Sequence, residues 1–202
     1  VELSTGSLFV NPVGTTSFTD LLIRDHQNDT LVFVDHFTFE SYHLGGLISS
    51  KLHLGKVIFD SLFLNVVKYK NEDQSNLDIF IEKIGPDDAR INQLSATTIK
   101  FNQSNVQFTD MNKSDSPKQF FSNINAKLVD LNSHFDDFST QIEEMSFFAD
   151  HQNIQVVDLE AFFSFNSEIA KIQNFKLLTP NSQFITDLSM RYPKEGFSNF
   201  YD

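Results

Sequence analysis

The side chains of this chain that could do chemistry are carboxylates, histidines and hydroxyls, because none of its 202 residues is cysteine. Adjacent acids occur at Asp136-Asp137 and Glu143-Glu144. Cleavage of a glycosidic bond needs two carboxyl groups about 5–10 Å apart across a cleft. Neighbours along a strand point to opposite faces, so neither pair flanks one bond if it lies in a strand. Asp110-x-Asn112-x-Ser114 opens like a calcium loop, yet Asp115 stands where glycine is required and Phe121 where glutamate is required. Asp25-x-Gln27-x-Asp29 fails similarly, with Thr30 in the glycine position. His26, His36, His43, His53, His134 and His151 show no zinc-type spacing. No serine has a G-x-S-x-G context, there is no glycine-rich phosphate loop, and Gly45-Gly46 reads as a turn. The expectation is a protein that is not an enzyme, with no catalytic residues, no metal and no cofactor.

Composition narrows the partners. There are 15 Lys+Arg against 27 Asp+Glu, a net charge of −12, so nucleic acid and anionic membrane surfaces are not expected to bind this segment. Hydrophobic residues at 40% and charged residues at 21% exclude a disordered tail. No run approaches the roughly 18 apolar residues of a transmembrane segment. The chain starts at Val1 without a basic-then-apolar leader and reads as an excerpt or a processed chain. Phe alone counts 23.

The elements that must position these side chains are mostly strands. Helical spacing occurs once: Leu77, Phe80, Ile81 and Ile84 follow Asn76, a candidate cap, and Gly85-Pro86 would end the segment. Asp87 to Gln93 reads as a further turn or linker. Elsewhere the apolar period is two. Leu31, Phe33, Asp35, Phe37 and Phe39 share one face; Phe120, Ile124, Ala126 and Leu128 a second; Val157, Leu159, Ala161, Phe163 and Phe165 a third; Phe184, Leu188, Met190 and Tyr192 a fourth. Polar turns separate them at 25–29, 70–73, 110–117, 150–153 and 179–181. The pattern predicts a mainly β fold: an antiparallel meander of long strands with one or two short helices. Residues 1–92 are expected to form a first β-repeat ending in the short helix, and 93–202 a second of long antiparallel strands. Phe18-Thr-Asp20 and Phe108-Thr-Asp110, each before a polar turn and a long strand, are a faint internal echo.

Phe18-Thr-Asp-Leu-Leu-Ile-Arg-Asp25 followed by Asn28-Asp-Thr-Leu-Val-Phe-Val-Asp35 resembles a hairpin of the TamB-like branch of the AsmA-like proteins of Gram-negative bacteria. Leu52-His-Leu-Gly-Lys-Val57, Asn76-Leu-Asp-Ile-Phe-Ile81 and Ile172-Gln-Asn-Phe-Lys-Leu-Leu-Thr-Pro-Asn-Ser182 follow in the family's order. Together they span most of residues 18 to 192. The resemblance implies a periplasmic section of an envelope protein anchored in the inner membrane. Its body would be a long sheet curled into an open trough, often called a β-taco. The implied roles are phospholipid transport and help with outer-membrane protein assembly, the outer-membrane partner being met by parts of the protein outside this chain.

A trough needs no acid, base or metal. It removes from water a lipid tail that would otherwise cost about 0.8 kcal/mol per exposed CH₂. The candidate lipid-lining residues are Phe33, Phe37, Phe120, Ile124, Leu128, Leu159, Phe163, Phe165, Leu188 and Met190. The competing reading makes the same residues the core of a β-sandwich adhesion or glycan-binding module, since apolar stripes are usually core. A carboxylate-based hydrolase is the third reading.

Overall fold

Period-two alternation becomes strand almost everywhere in the computed structural model, which describes residues 2–11, 14–41, 51–84, 93–113, 118–134 and 137–191. The described strands are β1 (Glu2–Ser4), β2 (Ser7–Val10), β3 (Thr15–Arg24), β4 (Thr30–Ser41), β5 (Lys51–Asp60), β6 (Phe63–Lys68), β7 (Gln93–Asp110), β8 (Gln119–His134), β9 (Asp137–Ala149), β10 (Ile154–Val156), β11 (Asp158–Phe165), β12 (Ile169–Leu178) and β13 (Gln183–Arg191). One helix, α1 (Asn76–Ile84), lies between β6 and β7. All thirteen strands join a single sheet. The order runs β1-β3-β4-β5-β7-β8-β9-β11-β12-β13, with β2 beside β1 on β3, β6 continuing β5 between β4 and β7, and β10 preceding β11 on β9. The mainly β, curled open sheet expected from the sequence is therefore present, and among the described residues there are no two packed sheets of a sandwich.

Neighbours are antiparallel except at one joint, where β5 and β6 run parallel to β7. A parallel joint needs a crossover. Here the chain leaves β6, passes through α1 and returns to the start of β7. The same joint places β7, which begins at Gln93, in one sheet with β5 and β6. Gly45-Gly46, Gly85-Pro86, Asp87 to Asn92, residues 114–117 of the 110–117 turn, Asp136 and Tyr192 lie outside the described residues.

The local chemistry of the crossover differs from the expectation in one respect. Ser75, not Asn76, caps the helix. Its hydroxyl accepts from the Asp78 amide at 3.2 Å, and the Asp78 carboxylate accepts from the Ser75 amide at 2.9 Å. This reciprocal pair satisfies two donors at the helix start, and the Ser75 hydrogen bonds hold the Asp78 carboxyl below its ordinary pKa. Asn76 is instead buried, at 1% exposure. Its oxygen accepts from the Val67 amide at 2.8 Å, while its amide donates to Asp25 Oδ2 at 2.9 Å.

Asp25, 3% exposed in the β3–β4 turn, is the hub of this end. Oδ1 accepts from the amides of Gln27 (2.9 Å) and Asp29 (3.0 Å); Oδ2 accepts from Asn76 and from the Tyr69 hydroxyl (2.7 Å). Burial would raise its pKa, but these four hydrogen bonds outweigh burial and hold the carboxyl low. Burial and the two carboxylates that Tyr69 serves, Asp25 and Asp29, push its phenol up.

Curvature has a visible cause. Asp20, Ser61, Gln103 and Asn123 adopt left-handed backbone with φ of 52°, 54°, 49° and 52°. Pairing sets them along one transverse line through β3, the β5–β6 break, β7 and β8. Asp130 in β8 and Asn174 in β12 (φ 52° and 53°) lie on a second line. Asn side chains tie the first line together: Asn125 Oδ1 accepts from the Gln103 amide at 3.0 Å, and Asn105 Oδ1 from the Asn123 amide at 3.2 Å. Such bulges bend strands and increase twist, which is how a wide sheet curls. Asp20 lies inside β3, whereas Asp110 ends β7. The two Phe-Thr-Asp strings thus occupy different structural positions.

Candidate functional site

Cross-strand partners share a face and lie close enough for their side chains to touch. Four phenylalanines use this register: Phe18 on β3, Phe37 on β4, Phe59 on β5 and Phe101 on β7 are successive partners. Their ring centroids are 5.9, 4.8 and 5.0 Å apart with interplanar angles of 27°, 25° and 6°. The row continues through Ala126 to Met145. The adjacent row runs Phe39–Val57–Ile99–Leu128–Ile142–Ala161. On the same face of β9, Thr140 starts the row Phe163–Ile172–Leu188, and Phe138 starts Phe165–Ala170–Met190. Phe138 and Phe165 stack at 5.0 Å.

Six of the ten candidate lining residues therefore meet on one face: Phe37, Leu128, Phe163, Phe165, Leu188 and Met190. Phe33 shares the alternation of β4 with Phe37 and pairs with Phe63. Leu159 pairs with Leu177, beyond a register step between β11 and β12. Phe120 and Ile124 face Gln107 and Ser104, where the β7–β8 register steps twice around Asn123. The single face expected for Phe120, Ile124, Ala126 and Leu128 is broken there. Ile124 is 7% exposed and fills core.

Burial varies with size within these rows. No described phenylalanine is buried, whereas the smaller Val57, Ala126 and Ala161 of the same rows are. Phe165, Leu188 and Met190 are 47%, 54% and 42% exposed. Nothing in the described sheet closes over the aromatic rows, because β13 and the β1/β2 edge do not pair. Phe18, Phe59, Phe101 and Phe138 belong to this surface and escaped the sequence reading. Each sits on a period-two strand, so the signal was present, but only the register shows that four of these strands align their rings.

The β9 ladder has a gap. Ile142 pairs with Ala161 and Phe147 with Val156, in one common register, yet Glu143–Ser146 and Val157–Glu160 between them do not pair. In register, Glu143 would sit directly opposite Glu160, and like charges so placed repel. Each acid turns to a lysine elsewhere: Glu143 binds Lys127, and Lys176 reaches Glu160 at 2.5 Å and Asp158 at 3.3 Å. These acids raise the pKa of both lysines. Gln155 and Gln141 donate to the carbonyls of Phe147 (3.1 Å) and Ile142 (2.9 Å), bounding the gap at each end. A cavity of about 280 Å³ opens there, lined by Lys100, Phe101, Ala126, Lys127, Glu144, Met145, Ser146, Val157 and Asp158 among others. A smaller one of about 230 Å³ lies beside Phe138 and Phe165.

Among the described residues no group of three or more His, Asp and Glu is placed to hold a metal ion, and no helix is long and apolar enough to cross a membrane. No family model matches the chain, and no curated protein matches it.

Proposed function

We propose that this chain is a non-enzymatic, periplasmic section of an envelope-spanning protein, in which the aromatic face holds the acyl chains of phospholipid. One observation carries the reading: an open sheet aligns phenylalanines across successive strands and leaves all the described ones short of burial. In a soluble monomer, apolar surface of that extent normally serves a binding role. The row from Phe18 to Met145 crosses six strand positions at roughly 4.8 Å each, about 24 Å between its ends, a length suited to an extended acyl chain. The TamB-like order of motifs supports the location, the inner-membrane anchor of the full-length protein, and work with an outer-membrane assembly partner through parts outside this chain.

The experiment is in vivo photo-crosslinking from Phe59, Phe163 and Leu188 in the full-length protein, with exposed His151 in the β9–β10 turn as the polar comparison. Phospholipid adducts at the three apolar positions and none at His151 are expected. Absence of lipid adducts at all three in a functional protein would remove the reading.

A further inference from the structure

The gap between β9 and β10/β11 lies at the end of the phenylalanine row, and residues of both faces of the sheet line the cavity there. Lys100 and Phe101 are sequence neighbours, as are Lys127 and Ala126, and Glu144 and Met145. All six line the cavity, and in each pair the two side chains point to opposite faces. The apolar members are direct cross-strand partners, Phe101–Ala126–Met145; so are the polar ones, Lys100–Lys127–Glu144. The cavity therefore joins the end of an aromatic surface to a charged one carrying both signs.

The charges there are not fully matched within the described residues. Lys127 is taken by Glu143, and Asp158 by Lys176. Lys100 has no carboxylate partner among the described residues and stands directly opposite another lysine, while Glu144 has no salt bridge there. Ser146 adds a hydroxyl to the same lining. The groups without an ion pair are thus one ammonium and one carboxylate, two strand positions apart, with Lys127 between them held by Glu143 and also attracting Glu144.

We infer that this gap seats the headgroup of a zwitterionic amphiphile, its phosphate against Lys100 and Ser146 and its ammonium against Glu144, with the tail along Phe101, Phe59 and Phe37. This rests on the groove reading above and adds to it a headgroup preference. A purely anionic headgroup would satisfy Lys100 but set a negative ligand beside Glu144 and Asp158. A phospho-amine answers both charges. The apolar row alone would not tell the two apart.

The test uses short-chain lipids below their micelle concentration, so that single molecules bind. Dihexanoyl-phosphatidylethanolamine, dihexanoyl-phosphatidylglycerol and free phosphoethanolamine are titrated into the chain by calorimetry, with circular dichroism confirming that each variant folds. The wild type is expected to favour the ethanolamine lipid about tenfold, the worth of one charge-assisted hydrogen bond. Glu144→Gln is expected to erase that preference while leaving glycerol-lipid affinity unchanged or improved. Lys100→Gln weakens both lipids. Phe101→Ala, at the cavity itself, weakens both equally and keeps the preference, which separates tail from head. Equal affinity of the wild type for the two lipids, or a preference that survives Glu144→Gln, overturns the headgroup assignment and leaves the groove standing. Free phosphoethanolamine binding as tightly as the lipid assigns the site to a soluble phospho-amine, overturning its link to the groove. Failure of both lipids to bind removes the groove itself.

Discussion

Asp25→Asn tests whether the polar hub, and not the apolar face alone, holds the β3–β4 turn to the crossover. The substitution keeps volume and replaces one acceptor oxygen by a donor. Whichever way the new amide turns, two of the four hydrogen bonds at 2.7–3.0 Å are lost. Two donors, either Tyr69 and Asn76 or the two turn amides, then face a third donor at a site 3% exposed. A hydrogen bond to a charged acceptor is worth about 1.5–3 kcal/mol net. Allowing for relaxation, the loss should be about 2–4 kcal/mol, which for a chain of this size is a Tm decrease of about 5–15 °C. The pH dependence follows from the depressed carboxyl of Asp25. A group whose folded pKa lies below its unfolded value, about 3.9 for Asp, stabilises fully above the unfolded pKa. That contribution disappears as pH falls through the folded one. The gap between wild type and variant should be constant from pH 7 to about pH 5.5 and shrink below about pH 4. Thermal and urea denaturation followed by far-ultraviolet circular dichroism measure it. A difference below about 0.5 kcal/mol at pH 7, or one unchanged down to pH 2, would refute the hub.

Three further substitutions probe the other elements. Ser75→Ala removes the helix cap and should cost about 1 kcal/mol, seen as faster amide exchange confined to the first turn of α1. At Asn123, with φ of 52°, glycine should be tolerated within about 1 kcal/mol, whereas valine should cost about 2 kcal/mol or more because a β-branched side chain resists left-handed backbone; urea midpoints of the two variants give the comparison. Phe59→Ala removes a half-buried ring stacked on both Phe37 and Phe101. It should cost about 1–3 kcal/mol, less than the 3–5 of a fully buried phenylalanine, and a larger loss would mean the row is closed core.

The residues of β4 illustrate how far alternation reaches. Leu31 to Phe39 repeat with period two, and β4 is a strand of twelve residues paired with β3 in the expected hairpin, its register stepping only near its two ends, at Leu31 and after Phe39. The helix from 76 to 84 was equally legible, because it depends on residues close together in sequence. Asn76 marks the limit. As a helix-start residue it reads as a cap, but its amide is spent on Asp25, 51 positions away, and on the Asn65 carbonyl. The cap passes to Ser75.

Period and composition thus define the strands, their apolar faces and the class of fold. They leave open which strands are neighbours and in what register. The parallel joint of β5/β6 with β7, the stacking of Phe18, Phe37, Phe59 and Phe101, and the gap beside Glu143 and Glu160 all depend on pairs distant in the chain. Local spacing carries no record of such pairs. The left-handed residues at 20, 61, 103 and 123 are of four different kinds in sequence, Asp, Ser, Gln and Asn. They become one crease only when the sheet aligns them, and a bulge shifts every side chain beyond it. That is why Phe120, before Asn123, does not continue the face that Ala126 and Leu128 share after it.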